Sequence, residues 1–415
     1  DLSYEDGEFV SPDEDSDDGI RSVNDFFMAA DPIRGISLTT GAKGITLQLG
    51  RVPLSIGEGL IYENYGIGAI ARLDGETQFD FPLRAEFTTQ MVGSKWADYS
   101  LSNTISSLHL EYDLSQFESI YLVGAYYRER ENNLTNAIMA PDFATRESIN
   151  EEACKIDPNS TDCFRSTLQL TIPADQNLTS STGDLKYIGL GGNIFIFDKL
   201  SLRGLVIGMF GTGSTTISPP PPPEQGGENR PAPQPELVFN ANFRAIAAQL
   251  ETTVVLNEFW ELSWELFALS GNPTNLRPNQ KETKTYTSFV GISPYWAWSG
   301  IFFESGLDRD AYSSRAKVAG DYGRGVAGLG PKVTFAQEDL NIEFRALGLY
   351  ALNEAGSPFS AFPTYGIELN AISDWRITRY LRLGTEADIF VPGNSYAENG
   401  IAFRVLGFIN GQFNL

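Results

Sequence analysis

The chain has 415 residues, with 53 acidic side chains against 30 basic ones and a formal net charge of −23. This balance argues against nucleic acid as a partner, because phosphate binding needs clustered Lys and Arg. Hydrophobic residues make up 42% of the chain, yet no window approaches the roughly 18 consecutive apolar residues of a transmembrane helix.

The first segment, residues 1–30, is strongly acidic at its start and contains no base among residues 1–18. Such a segment cannot bury enough apolar surface to become ordered alone. It also lacks an apolar core flanked by basic residues, so we expect no signal peptide within the chain. The first residue is Asp1 rather than Met, which is the expectation for a processed or truncated product.

From about residue 35 the sequence changes to short runs in which apolar and polar residues alternate, separated by Gly, Asn, Asp and Pro. In one run, Leu83 and Phe87 alternate with Arg84 and Glu86. Most runs are about ten residues long, which suits a tilted strand that crosses a bilayer and exceeds the usual soluble strand. We therefore predict one all-β domain over residues 31–415, a transmembrane antiparallel up-and-down β-barrel of about 16 strands, with 18 as the alternative.

The connections between runs alternate in length, as in outer-membrane barrels. The two longest are predicted near 130–184 and 212–237. The first contains both cysteines of the chain, Cys154 and Cys163, in a polar, turn-rich context where a thiol has no core to join. We expect a disulfide between them, which suits an oxidising compartment, with two free thiols as the alternative.

The final segment, residues 400–415, resembles the closing strand of a barrel. Ile401, Phe403 and Val405 occupy one parity, and Arg404 and Asn410 occupy the other. A soluble β-sandwich also alternates in this way. Long strands, charged residues in mid-strand and aromatic residues near the ends of runs favour the membrane, because the apolar parity would then face lipid and the charged parity a wet lumen.

The charged parity defines a set of candidate lumen-lining residues. They are Arg84, Glu86, Glu111, Arg203, Arg244, Glu261, Glu265, Glu343, Arg345, Glu368, Arg382, Glu386, Asp388 and Arg404. Because both signs are present, these side chains could simply pair across neighbouring strands. They could also create a transverse field that orients small polar solutes. The acid excess in the loops would favour cations at the mouth.

Catalysis finds little support in the sequence. The single histidine, His109, shares a parity with Glu111, and no Gly-x-Ser-x-Gly motif occurs. Cys154, Cys163 and His109 offer neither the number nor the spacing of zinc ligands. We therefore expect no enzymatic activity, no cofactor and no bound metal.

One segment resembles an early hairpin of alginate-export-type porins. In residues 50–61 a strand that begins Gly50-Arg51 leads to the turn Gly57-Glu58-Gly59, and the sequence Ala-Arg-Leu-Asp-Gly follows at 71–75. The resemblance implies a monomeric, wide diffusion channel of the bacterial outer membrane. It does not imply alginate as the solute, because that family's polymer channels are strongly basic inside and the lumen predicted here is mixed.

The leading hypothesis is an outer-membrane porin for passive diffusion of small hydrophilic solutes or ions, in contact with the lipid bilayer and lipopolysaccharide. The alternative is a structural barrel that sheathes or anchors a partner, such as an electron-conduit cytochrome or a secretion or surface complex. The long loops and the acidic segment, which exceed what diffusion needs, favour that alternative. A barrel enzyme, a transporter of hydrophobic compounds and a secreted adhesin are weaker hypotheses.

Overall fold

A computed structural model of the chain shows an almost entirely β-sheet protein. The residues it describes are 3–5, 8–10, 37–42, 44–92, 103–130, 134–135, 137–139, 179–197, 199–217, 236–273, 276, 278, 280–292, 299, 316–320, 323–353, 364–378, 381–393 and 400–411. The predicted pair Cys154 and Cys163 lies outside these residues, as does most of the acidic segment. In the described part of the chain, no helix is long and apolar enough to cross a membrane.

Twenty strands and one short helix make up the described part. They are β1 (Ser3–Glu5), β2 (Glu8–Val10), β3 (Ser37–Ala42), β4 (Ile45–Ile56), β5 (Tyr62–Asp74), α1 (Gly75–Phe79), β6 (Leu83–Met91), β7 (Thr104–Asp113), β8 (Ser119–Glu129), β9 (Thr179–Phe197), β10 (Leu200–Ile217), β11 (Leu237–Val255), β12 (Trp260–Leu269), β13 (Lys284–Tyr286), β14 (Val290–Ile292), β15 (Ala316–Val318), β16 (Val326–Gln337), β17 (Leu340–Ala351), β18 (Thr364–Thr378), β19 (Leu381–Pro392) and β20 (Ala402–Gly411).

Sixteen strands form the main sheet, which confirms the predicted all-β, antiparallel up-and-down architecture and its size. All but one of them follow each other in a meander from β3 to β20, and the exception, β13, pairs in parallel with β11. Within the described residues no ladder joins β3 to β20, so the predicted closed ring is not formed there by hydrogen bonds. The meander has 15 strands, so β3 and β20 run in the same direction.

The sheet nevertheless curls round to enclose an interior. Glu58, in the connection between β4 and β5, accepts hydrogen bonds from side chains of β10 and β11. Six steps separate β5 from β11 in the sheet, or roughly 29 Å across a flat sheet at about 4.8 Å per step. Two side chains cannot bridge that distance. The sheet must therefore bend until the inner faces of β10 and β11 come within hydrogen-bond distance of Glu58.

The two ends of the sheet differ. At one end, the turn end, short connections join β9 to β10, β16 to β17 and β18 to β19. At the other, the loop end, long connections run over residues 130–178, 218–236 and 270–325. The strands β9, β10 and β11 are 18 or 19 residues long and extend into both predicted loops.

The outer face carries an apolar band that ends sharply on the side of the loop end, at what we call its upper border. On β10 the outward side chains are apolar from Leu202 to Phe210 and polar from Thr212 onward. Tyr126, Lys186 and Arg244 lie in the same cross-strand row as Phe210. The eleven residues from Leu200 to Phe210 span roughly 33 Å of strand, or roughly 25 Å at a tilt of about 40°, which is the height of a transmembrane barrel's apolar belt.

Candidate functional site

The candidate site is the interior of the curled sheet. The meander strands form its wall, and alternate side chains of each of them point into it. All but one of the predicted lumen-lining residues lie on this inner face, judged by register with their neighbours. They are Arg84, Glu86 and Glu111, Arg203, Glu261 and Glu265, Glu343 and Arg345, Glu368, Arg382, Glu386 and Asp388, and Arg404.

Arg244 is the exception, since the structure places it on the outer face. It pairs in register with the outward Phe210, while its neighbour Phe243 is buried inside. Near the loop end β11 has left the apolar band, so its outward parity, with Asn240 and Asn242, is polar. Above the band a charged residue therefore faces outside solvent, and charge no longer identifies the inner face.

A ladder of ion pairs crosses the inner wall from β11 to β17. Lys332 contacts Glu251 and lies 3.2 Å from Glu265. Arg345 lies 2.8 Å from Glu265 and 2.7 Å from Glu343. The Glu265 side chain is fully buried and that of Arg345 is 4% exposed. Charges this buried are tolerated only when each has partners, so the ladder is a structural unit of the wall.

A second cluster follows on β18, β19 and β20. Asn370 donates to Glu368 at 2.7 Å and to Asp388 at 2.6 Å. Arg404 contacts Asp388 at 2.8 Å and Glu386 at 2.6 Å. Three carboxylates and one guanidinium thus meet in this cluster.

Nearer the turn end the ion pairs face water. The Arg84 side chain is 52% exposed and pairs with Glu111 at 3.1 Å and with Asp113. Arg72 pairs with Glu86 at 2.6 Å. In these pairs the arginine is more exposed than its carboxylate partner. Such pairs contribute little to stability, and their guanidinium groups present positive charge to the aqueous interior.

Toward the loop end the interior becomes mostly apolar, with Glu129 buried there against the Leu134 amide and the Ser181 hydroxyl. Val123, Ile207, Phe243, Leu349 and their neighbours form one cluster of buried side chains contributed by strands around the sheet. We therefore correct the expectation of a polar lumen along the whole strand. Here some strands are apolar on both faces, as in the run Leu-Val-Ile-Gly-Met of 205–209, because one face meets the band and the other a packed interior.

Two parts of the chain fill this apolar region. The first is the hairpin tip, residues 57–61, between β4 and β5. Gly57, Glu58 and Gly59 all have positive φ, at 61°, 54° and 84°. Leu60 and Ile61 are buried. This left-handed backbone is costly at a residue with a side chain, so tertiary contacts must hold Glu58 in place.

The second is the inner segment, by which we mean the described residues between β12 and β16, namely 270–273, 276, 278, 280–292, 299, 316–320 and 323–325. The Phe289 ring packs edge-on against Tyr187 at 6.1 Å, and the Tyr187 hydroxyl donates to the Val290 carbonyl at 2.8 Å. Ser299 donates to the buried Glu368 at 2.7 Å. Tyr365 donates to the carbonyl of Gly325 at 3.0 Å. The segment is thus attached to wall strands on both sides of the interior.

The tip and the inner segment also contact each other, since the Ile292 amide donates to the Ile61 carbonyl at 2.6 Å. Glu58 accepts from Tyr121 at 2.5 Å, from Arg203 at 3.1 Å and from Gln249. Tyr121 and Gln249 lie in one cross-strand row with Leu205, and Arg203 lies one inward position nearer the turn end. The next inward row toward the loop end is apolar, with Val123, Ile207 and Ala247. Glu58 therefore sits at the boundary between a charged turn half and an apolar loop half of the interior.

Several residues of the site were missed in the sequence. Glu251 shares a parity with Gln249 opposite Leu250, so alternation alone could have found it. Lys332 follows a Gly-Leu-Gly-Pro stretch with too little alternation to give a signal. Glu58 was visible as the centre of a Gly-Glu-Gly turn, but nothing local shows that this turn folds inward.

His109 stacks on Tyr121, with 5.0 Å between the ring centroids, and lies 3.9 Å from Glu111. In the part of the chain that the structure describes, no group of three or more His, Cys, Asp or Glu is arranged to hold a metal ion.

No family model matches the chain. No curated protein matches it either. Solved structures do resemble it. OccK11 (OpdR) of Pseudomonas aeruginosa is 9% identical, with 91% of this chain and 80% of that chain covered and a TM-score of 0.43. Wzi of Escherichia coli, described as a carbohydrate-binding β-barrel of the outer membrane, is 12% identical, with 91% and 70% covered and a TM-score of 0.42.

The toluene transporter TodX of Pseudomonas putida is 9% identical, with 79% of this chain and 78% of that chain covered and a TM-score of 0.30. The resemblance to alginate-export-type porins is not confirmed by these comparisons.

Proposed function

We propose that the protein is a porin-like channel of the bacterial outer membrane, through which small hydrophilic solutes or ions diffuse passively. The observation that carries the proposal is the sidedness of the wall. Between the turn end and the row of Phe210, apolar side chains such as Leu190 and Val206 cover the outer face, and paired charges such as Arg84 with Asp113 line the inner face. A sheet in lipid needs this arrangement, because its outer face meets hydrocarbon and its inner face meets water.

Aromatic residues mark the turn end of the band. Phe117 packs against Phe195, and Phe335 packs against both Phe259 and Trp260. All of these residues lie beside short turns. An aromatic girdle at the interface between lipid and water is typical of membrane barrels. The band would contact bilayer lipid, and the long loops at the other end would face the lipopolysaccharide leaflet.

The test is single-channel recording of the purified full chain in planar bilayers, with a salt gradient across the membrane. We expect discrete conductance steps. A folded and inserted protein that gives no steps under any voltage would contradict the proposal. The sign of the reversal potential reports which charge dominates, the water-facing guanidinium groups of the turn half or the acid excess of the chain.

A barrel that sheathes or anchors a partner protein is the weaker proposal. The inner segment and the hairpin tip occupy the loop half with the chain's own side chains, which leaves less space for a partner to pass through. Purification of a stoichiometric partner with the protein, together with silence in the bilayer, would favour this alternative over the channel.

A further inference from the structure

We propose that the hairpin tip, residues 57–61, is a gate that holds the channel closed at rest, with the carboxylate of Glu58 as its latch. The inner segment is the fixed seat against which the gate closes. This inference rests on the proposed channel function and names its regulation.

The position of the tip supports a gate. It lies at the boundary between the charged turn half and the apolar loop half, where a solute would leave water for a packed interior. Gly57 lies close to the opposite wall, since a Cβ added to it would be 3.0 Å from a methyl carbon of Ile207 on β10. The tip thus spans the interior from β4 and β5 to β10.

The attachments of the two parts differ in kind. The inner segment has backbone bonds at its own base, such as Phe289 to Ser270 at 2.9 Å and Asn272 to Gly323 at 2.7 Å. It is also bonded to β9 and β18 through Tyr187 and Glu368. The described polar contacts of the tip beyond its own hairpin are those of Glu58 and the bond from Ile292 to Ile61. The tip therefore has fewer bonds to break.

The backbone of the tip suits a movable part. Its three consecutive left-handed residues include Glu58, for which this conformation is unfavourable by about 1 kcal/mol. This strain is released if the tip withdraws. It therefore lowers the stability of the closed state relative to the open state and opposes the hydrogen bonds of Glu58. The two flanking glycines can adopt either sign of φ and act as hinges.

Conductance of the full chain in planar bilayers in KCl tests the gate. In Glu58→Gln the side chain keeps one acceptor oxygen, but the negative charge that strengthens the bonds from Tyr121, Arg203 and Gln249 is lost. We expect the open fraction to rise about tenfold, since charge-assisted bonds of this kind are lost. Glu258→Gln is the matched control, because Glu258 is exposed in the short turn between β11 and β12, away from both the tip and its seat. It should leave the open fraction unchanged.

A reversible lock tests the same idea without relying on loss of a bond. Glu58→Cys and Gln249→Cys are combined in a chain that carries Cys154→Ser and Cys163→Ser. Before treatment this variant should open more often than the parent. A bis-methanethiosulfonate reagent that links the two thiols should close the channel, and a reductant should reopen it. If Glu58→Gln fails to fold, Tyr121→Phe removes one latch bond and leaves the hairpin intact.

The outcomes are distinct. Equal open fractions in the parent and the latch variants, together with conductance that linking does not change, would overturn the gate and leave the channel function intact. Silence of every folded variant, with folding checked by heat-modifiable mobility on gels, would overturn both. A rise on loss of the latch and closure on linking would establish the gate.

Discussion

On the inner face of β10, Arg203 lies beside the carboxylate of Glu58 and in register with Glu251. Six residues along the same face, Met209 lies in register with Tyr187 and is buried among apolar side chains. The outer face of the strand is apolar over the same stretch. The two halves of the interior therefore differ on a shared scaffold. In the turn half, the two faces of the strand differ in polarity, because the inner face is charged and the outer face is apolar. In the loop half, the faces differ in packing, because the inner side chains are closely packed against one another.

The largest effect that separates the two halves is expected from Arg345→Met. The substitution leaves Glu265, whose side chain is fully buried, with Lys332 as its remaining charge partner in the ladder. Removing one member of a buried ion cluster destabilises a protein by about 3–5 kcal/mol. Urea unfolding in lipid vesicles measures the loss. Arg84→Met is the control and should cost under about 1 kcal/mol, because that side chain is half exposed. Equal losses would show that the ladder is not buried.

A smaller effect should locate the border of the apolar band. Val206 points outward in the middle of the band, and Ser214 points outward beyond its upper border. Lysine near the middle of a bilayer costs about 2–4 kcal/mol and near its edge about 0–1 kcal/mol. We therefore expect Val206→Lys to destabilise the folded protein and Ser214→Lys to have almost no effect. Similar values at both positions would argue against the band as the membrane-facing surface.

Smaller again is the expected difference between two matched isoleucine substitutions. Ile207 is fully buried in the loop half, whereas Ile188 on the neighbouring strand faces outward. Ile207→Val leaves a cavity in a packed interior and should cost about 1 kcal/mol. Ile188→Val should cost less, because lipid chains move to fill the space. If the two variants unfold at the same urea concentration, the loop half is not packed as described.

The smallest effect concerns the ion pair between Glu282 and Lys284, at the start of β13. The hydrogen bond and the charge of Lys284 lower the pKa of Glu282. A lowered carboxyl pKa gives stability that is present above the unfolded-state value and is lost as the pH falls through the folded-state value. In Lys284→Met the pKa of Glu282 should return toward its ordinary range, which NMR titration of the carboxyl carbon would show. The unfolding midpoint should not change, since the Glu282 side chain is largely exposed.

The sequence predicts the outer face well and the inner face only in the turn half. Alternation places Arg404 inside and Phe403 outside because a strand turns each successive side chain to the opposite face. The same rule placed Arg244 on the inner face, which is wrong. Beyond the loop-end border of the band, the outer face is polar and the inner face is apolar, which is the reverse of the pattern that the rule assumes. Alternation within a strand carries no signal for contacts between distant strands. Glu58 and Gln249 meet only because the sheet curls, and 191 positions separate them in the chain.

The length of the central strands has a further consequence for a channel of the proposed kind. Beyond the border row, β10 continues from Phe210 to Ile217, which raises the rim roughly 18 Å above the hydrocarbon at the usual strand tilt. The Debye length at physiological ionic strength is about 8 Å. A dissolved ion that approaches this raised mouth is therefore screened from the charge of the lipid headgroups. The electrostatic potential that it meets there is set by the protein's own side chains.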